Sequence, residues 1–156
     1  MDPTRRLFTI ALATAWIGPA LAHHGWSSFD ETRPLYLEGT VKAVRWQNPH
    51  VVLVLELTST TPPASLATLA VPRQIASVDA ARILTAAKPP TRKDQQWEIE
   101  LAPLTRMEAW KVREIKPGEK LAVVGYTFKD EKGTATLRAE FLIRDGTVTP
   151  MRSAPA

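Results

Sequence analysis

The chain contains three histidines, His23, His24 and His50, and no cysteine. Imidazole nitrogens are good ligands for copper, nickel and zinc, and the lack of cysteine excludes disulfides and thiolate metal sites. The three histidines are therefore the candidate metal ligands, with copper favoured over zinc or nickel. Asp30 and Glu31 could add a carboxylate. The alternative interpretation is a polar terminus for His23 and His24, and a hydrogen bond to the adjacent turn for His50.

The residues before His23 have the pattern of an export signal. The basic pair Arg5-Arg6 precedes an apolar run, residues 7–22, which ends in a small-x-small sequence. This pattern predicts a signal peptide over residues 1–22. Its removal would leave His23 with a free α-amino group, which is a further nitrogen donor. An uncleaved anchor stays open as an alternative, as does the choice between the general secretory and twin-arginine routes.

Composition limits the classes of function. The net charge of +4 is spread along the chain rather than clustered, so nucleic-acid binding is not predicted. No second apolar run follows the signal, so we expect a periplasmic or secreted protein with no stable membrane span after cleavage. No nucleophile elbow or phosphate loop is present, and we do not predict an enzyme. The alternating carboxylates Glu98 and Glu100 are explained by solvent exposure.

Alternation of apolar and polar residues predicts five strands. The first begins at Leu35, has a bulge after Ala43, and ends before Pro49, which cannot donate a ladder hydrogen bond. The other strands are predicted over residues 51–57, 96–101, 121–128 and 135–144. In the last strand, Phe141 is expected to face the same way as Ala139.

A short helix is predicted between the third and fourth strands. Leu104, Met107 and Trp110 are three residues apart, as on one helix face, and Pro103 suits the first turn. The order of five strands and one helix is that of a small OB-like barrel, so the predicted fold class is mainly β. An open antiparallel sheet or sandwich has the same elements and is the alternative.

Residues 23–146 are predicted to form a single barrel domain with two segments outside the strand plan. Residues 59–94, rich in proline, alanine and threonine, are read as an insertion between strands two and three, either a surface loop or a lid or docking arm. Within it, residues 78–87 are predicted to form a helix capped by Ser77. Residues 147–156 are predicted to form a flexible tail.

Aromatic side chains give a second candidate site. Trp26, Trp46, Tyr36 and Tyr126 could form a ligand face, the two tyrosines because they lie on the outward phases of their strands. Core packing is the alternative for the tryptophans, as it is for Phe29 and Trp110.

Two motifs resemble those of a known family. His23-His24 followed by Phe29-Asp30, and Trp46-Gln47-Asn48-Pro49-His50, are similar to the His-His and W-x-N-P-H signatures of small exported bacterial proteins grouped as a domain of unknown function. The resemblance implies export and a small β-barrel-like fold, and it implies no established activity. The chain departs from the family pattern in the long insertion, and in Ala102-Pro103, where Ser-Pro would supply a helix cap.

Two functional hypotheses follow from these patterns. The first is a periplasmic binding module that holds a transition metal through the three histidines. The second is an envelope module that binds a protein or an extended ligand on the barrel face, without metal. In the second hypothesis Tyr36, Tyr126, Arg138 and the insertion matter, and the histidines do not.

Overall fold

The structure is a computed structural model, and it describes residues 25–156. Its secondary structure is mainly β. The strands are β1 (Leu35–Arg45), β2 (Val52–Ser59), β3 (Gln96–Glu100), β4 (Lys120–Tyr126), β5 (Thr136–Arg144) and β6 (Thr147–Pro150). The helices are α1 (Ala80–Ala86) and α2 (Leu104–Ala109), with short 3₁₀ turns at Trp26–Ser28, Ala64–Thr68 and Lys129–Glu131.

The first five strands form a closed barrel. The sheet order is β3-β2-β1-β4-β5-β6, and a parallel pairing of β3 with β5 closes the ring. Helix α2 connects β3 to β4, which is the order of an OB-like barrel. The predicted barrel is therefore confirmed, and the open-sheet alternative is wrong. Closure leaves β6 outside the barrel, where β5 is its one neighbour among the described strands.

The bulge predicted in β1 is present. The register between β1 and β2 shifts between Val41 and Ala43, so the side chains after the shift alternate between the two faces in the opposite order. A bulge in β5 was not predicted. Val124 pairs with Phe141 while Gly125 pairs with Ala139, which leaves Glu140 as the extra residue.

The β5 bulge divides the apolar side chains of that strand between two cores. Leu137, Ala139 and Leu142 point into the barrel, whereas Phe141 belongs to a separate cluster on the outside. The expectation that Phe141 and Ala139 face the same way is therefore wrong. Alternation along one strand cannot reveal a bulge that inverts its phase.

The insertion covers the outside of the barrel. Its side chains Leu66, Ile83 and Leu84 are buried against the outer residues of β1, β4 and β5, among them Tyr36 and Phe141. Burial of this apolar surface stabilises the closed arrangement. The insertion thus forms a second hydrophobic core with the outer face of the barrel. Its helix α1 is capped by Asp79, which accepts a hydrogen bond from Arg82 N, and not by Ser77 as predicted.

The C-terminal segment is ordered by pairing, which contradicts the predicted tail. Residues Thr147–Pro150 form β6, and Met151 beyond them is buried. Ile75 N and Ala76 N in the insertion donate to Ala154 O and Ser153 Oγ respectively. The insertion and the C-terminal segment therefore hold each other against the barrel.

Within residues 25–156, none of the helices has the length and apolar character needed to cross a membrane.

A buried carboxylate ties three parts of the chain together. Glu131 accepts hydrogen bonds from the Arg33 side chain and from the backbone N–H groups of Thr91 and Arg92. Arg92 also donates to the carbonyl oxygens of Glu131 and Gly133. We call this group, Arg33, Thr91, Arg92 and Glu131, the Glu131 clamp. It joins the start of β1, the end of the insertion and the β4–β5 connection.

Candidate functional site: a buried arginine beside His50

A row of neighbouring side chains runs across the outer face of four strands. Val52 pairs with Glu100 between β2 and β3, Glu100 pairs with Arg138 between β3 and β5, and Arg138 pairs with Tyr126 between β5 and β4. Residues opposite one another in a sheet lie on the same face with Cβ atoms about 5 Å apart. The closing pair β3–β5 therefore places a carboxylate directly beside a guanidinium.

Arg138 is the centre of the site. Its Nη2 atom lies 3.1 Å from Glu100 Oε2, and both side chains are nearly buried. The same Nη2 atom lies 3.4 Å from His50 Nε2. Arginine can only donate hydrogen bonds, so Nε2 is the accepting nitrogen of the neutral ring and carries its lone pair. We call Trp26, His50, Glu100 and Arg138 the Arg138 cluster.

His50 is positioned by the loop that joins β1 to β2. Its neighbour Val51 is tied to the end of β3 by hydrogen bonds with Leu101 and Ala102. In the same loop, Asn48 Oδ1 accepts a hydrogen bond from Leu104 N at the first turn of α2, 3.1 Å away. Asn48 thus supplies the helix cap that Ala102-Pro103 lacks. The helix and β3 together fix the loop on which His50 lies.

The N-terminal part of the described chain packs onto the same face. The Trp26 ring lies 5.2 Å from the Arg138 guanidinium carbon and 3.8 Å from that of Arg152. It also meets the Tyr126 ring edge to face, with centroids 6.4 Å apart. Such contacts between cations and aromatic rings are favourable, most of all when they are shielded from water. Trp26 is therefore held on the face that carries His50.

Phe29 anchors this segment a short distance further along the chain. Its ring stacks on Phe128 with centroids 5.0 Å apart, and the adjacent Asp30 N donates to Thr127 O. Asp30 itself accepts hydrogen bonds from Thr32, which lower the pKa of its carboxyl group. The segment is thus joined to the β4–β5 connection by stacking and by the backbone.

A second pair of charges adjoins the Arg138 cluster. Glu140 is fully buried, and its Oε2 accepts from Arg152 at 2.6 Å. Arg152 also donates to Glu31 Oε2 at 2.7 Å. Burial raises the pKa of Glu140 although the Arg152 hydrogen bond and charge oppose the shift. Burial, together with the Glu140 charge, also raises the pKa of Tyr126 to about 12.

Of the three predicted metal ligands, only His50 falls among the described residues; His23 and His24 lie outside them. Residues 25–156 contain no group of three or more histidine, aspartate or glutamate side chains arranged to hold a metal ion. Of the two carboxylates suggested as additional ligands, Glu31 is bound to Arg152 and Asp30 to Thr32. The described part of the predicted site is therefore one imidazole beside a buried ion pair.

The two tyrosines of the predicted ligand face are buried. Tyr36 is 3% exposed and Tyr126 is 2% exposed, because the insertion covers the first and the Trp26 segment contacts the second. Trp46 is half-buried and packs against the barrel core, while Trp26 is half-buried over Arg138. Trp110 donates from Nε1 to Ser153 O, which ties it to the C-terminal segment.

Sequence reasoning missed Glu100 as a member of the site. Its alternation with Trp97 and Ile99 predicted a solvent-exposed carboxylate, yet Glu100 is 9% exposed. The only signal in the sequence was the matching outward phase of Arg138 on another strand. That signal gains meaning only when β3 and β5 are known to be neighbours.

The fold defines a small closed five-stranded barrel with an added outer layer. Residues 11–68 match a protein family described as a family of unknown function (DUF6152). The match includes the loop that carries His50 and the segment that carries Trp26. No curated protein and no solved structure matches the chain.

Proposed function

We propose that this chain is an exported, periplasmic binding module that holds a transition metal ion, copper in preference to zinc or nickel, through His23, His24 and His50. The observation that carries the proposal is that His50 and Trp26 contact the same guanidinium, that of Arg138. The segment that follows the predicted cleavage site and the loop that bears the third histidine thus meet on one face of the barrel.

Chain connectivity supports a shared site. Two residue steps separate His24 from Trp26, and two extended residues span at most about 7 Å. Cleavage after Ala22 would make His23 the first residue. Its α-amino nitrogen and its imidazole can then bind one ion as a chelate, and His50 adds a ring from the barrel. Nitrogen donors of this kind favour copper among the divalent metals.

The state of the His50 ring also supports the proposal. A metal ligand must offer a lone pair, and Nε2 carries one because its partner is an arginine donor. The hydrogen bond is long, at 3.4 Å, and even a hydrogen bond from a charged donor contributes only about 1.5–3 kcal/mol net. A coordinate bond to a metal ion is much stronger than that, so the ion displaces the guanidinium contact.

The competing hypothesis of a metal-free ligand face has less support. It required Tyr36, Tyr126 and Arg138 to be accessible, and all three side chains are buried beneath other parts of the chain. The insertion that was to act as a docking arm is packed on the barrel.

The test is titration of Cu(II) and Zn(II) into the chain that begins at His23, by calorimetry, with His50→Ala as the variant. Gln47→Ala is the matched control, since Gln47 is exposed in the same loop. We expect one ion per chain, at least about tenfold weaker binding in His50→Ala, and no change in Gln47→Ala. Electron paramagnetic resonance of the copper form should show one fewer nitrogen donor in His50→Ala. No binding by the parent chain, or equal binding by both variants, would overturn the proposal.

A further inference from the structure

A carboxylate lies next to the proposed histidine ligand. Glu100 and His50 contact one and the same atom, Arg138 Nη2, at 3.1 Å and 3.4 Å respectively. Glu100 Oε2 and His50 Nε2 can therefore be no farther apart than the sum of these two distances. Donor atoms on one Zn(II) or Cu(II) ion lie about 2.0–2.2 Å from the metal, so side-chain rotation can bring both groups to a single ion.

The β-sheet register explains why the two groups meet. Glu100 is directly opposite Val52, the first residue of β2, in the antiparallel pair β2–β3. His50 lies two residues before Val52, in the connecting loop, and its contact with Arg138 places it beside Glu100. The helix cap by Asn48 and the Val51 hydrogen bonds hold the loop in this register.

The position of Glu100 is also set by its partner. Its side chain is 11% exposed and that of Arg138 is 7% exposed, so the carboxylate is largely removed from water and lies against the guanidinium. Arg138 is in turn held beneath the rings of Trp26 and Phe29, at 5.2 Å and 5.3 Å. A buried ion pair gives little net stability over apolar packing, so we assign the pair to positioning and not to stability.

We propose that Glu100 donates a carboxylate oxygen to the same metal ion as His50, and that Arg138 is the positioning residue that holds these two side chains side by side before the ion enters. This inference rests on the proposed function, because it assumes that a metal binds at His50. The negative charge of Glu100 offsets part of the charge of the divalent ion, which the neighbouring guanidinium would otherwise oppose. Carboxylate and imidazole together suit Cu(II) and Zn(II).

The test is Cu(II) titration of the chain that begins at His23, with Glu100→Gln and the matched control Glu98→Gln. Glu98 lies two residues away on the same strand and is only partly buried. We expect Glu100→Gln to weaken binding by about ten- to a hundredfold and to change the electron paramagnetic resonance parameters of the copper. Glu98→Gln should change neither. Glutamine keeps an oxygen that can accept from Arg138, and circular dichroism of the metal-free chain verifies that the fold is retained.

If Glu100→Gln does not fold, Glu100→Asp is the second variant. It preserves the charge but shortens the side chain by one methylene, and we expect the same spectral change with a smaller loss of affinity. Equal binding by the Glu100 and Glu98 variants, while His50→Ala still weakens binding, would overturn the role of Glu100 and leave the proposed function intact. Absence of binding by the parent chain would overturn both.

Discussion

The Glu131 clamp and the Arg138 cluster both bury a carboxylate beside an arginine, but they are built differently. In the clamp, two backbone N–H groups and the Arg33 side chain all donate to the carboxylate of Glu131. In the Arg138 cluster, the guanidinium contacts side chains: Glu100, His50 and aromatic rings. Backbone donors fix chain segments in place, whereas side-chain pairs can exchange partners without breaking the fold.

The pKa of Glu131 and the pKa of Glu140, a buried neighbour of the Arg138 cluster, shift in opposite directions. Burial alone would raise the pKa of Glu131, but the hydrogen bonds from Arg92, Thr91 and Arg33 outweigh it and lower the pKa. For Glu140, next to the Arg138 cluster, burial prevails and the pKa is raised. Among the described residues, Glu140 Oε1 has no hydrogen-bond partner. Glu131 is thus held by several donors, whereas Glu140, beside the Arg138 cluster, is less fully satisfied.

The largest expected effect on stability is that of Glu131→Gln. The change removes the charge of a buried carboxylate that accepts from two backbone N–H groups and from the Arg33 side chain, which is 36% exposed. Loss of charge-assisted hydrogen bonds of this kind costs about 3 kcal/mol. Urea unfolding at pH 7 measures the loss of stability, and Asp130→Asn, a change at the exposed neighbouring residue, is the control. Copper binding by the folded variant should be unchanged. A loss below about 1 kcal/mol would contradict the role of Glu131 as an anchor.

The pH dependence of the Glu131 effect has a definite sign. The folded-state pKa of Glu131 is below its ordinary value of 4.5, so its stabilisation is present above that value and is lost as the pH falls through the lowered pKa. The stability difference between the parent chain and Glu131→Gln should therefore narrow at acid pH. A difference that stays constant from pH 7 to pH 3 would contradict this account.

A smaller effect is expected for Arg152→Met. The variant removes the hydrogen bonds to Glu140, at a cost of about 2 kcal/mol at pH 7, and the Glu140 carboxyl can limit the cost by taking up a proton. Because the pKa of Glu140 is already raised, the loss of stability in Arg152→Met relative to the parent chain should grow as the pH rises through that pKa. It should shrink toward pH 5. Unfolding at both pH values measures this. A larger loss of stability at pH 5 than at pH 7 would contradict the expected pH dependence.

Trp26→Ala should affect binding more than folding. The ring is half-buried and holds the N-terminal segment over Arg138, so its loss should raise the dissociation constant for Cu(II) about tenfold, or about 1.4 kcal/mol. Trp26→Phe keeps an aromatic face for the guanidinium and should retain most of the affinity. Calorimetry on the chain that begins at His23 distinguishes the two variants. Equal Cu(II) affinities for Trp26→Ala and the parent chain would show that Trp26 does not contribute to the metal site.

The smallest effect is expected at an exposed ion pair. Arg113 and Glu119 lie 2.8 Å apart, but the Arg113 side chain is 64% exposed. Pairs of this kind contribute about 0–1 kcal/mol. Arg113→Met should therefore shift the unfolding midpoint only slightly. A loss of stability as large as that of Arg152→Met would show that burial does not explain the difference between the two ion pairs.

The barrel could be predicted from the sequence because its strands alternate locally. Leu35, Trp97 and Leu137 each mark an inward phase, and Pro49 marks the end of a strand, without any knowledge of neighbours. The bulge at Glu140 and the outer core around Tyr36 could not be predicted in this way. Both depend on which segment covers the outside of the sheet, and alternation marks a polar or mixed face without showing what lies on it.

The candidate site was predictable only in part for the same reason. His50 could be singled out by residue type, since imidazoles are rare in this chain. Glu100 and Arg138 are 38 positions apart on strands that become neighbours only when the barrel closes, as their register shows. Their pairing is a long-range consequence of topology, and no local sequence pattern predicts it.

The central claim, that the processed N-terminus and His50 bind one metal ion, is tested most directly by blocking the α-amino group at the start of the chain. Copper titration compares the chain that begins at His23 with the same chain acetylated at His23. Acetylation keeps all three histidines and removes only the α-amino donor. The account predicts at least about tenfold weaker binding by the acetylated chain, as expected for the loss of one donor. Equal affinity of the two forms would contradict it.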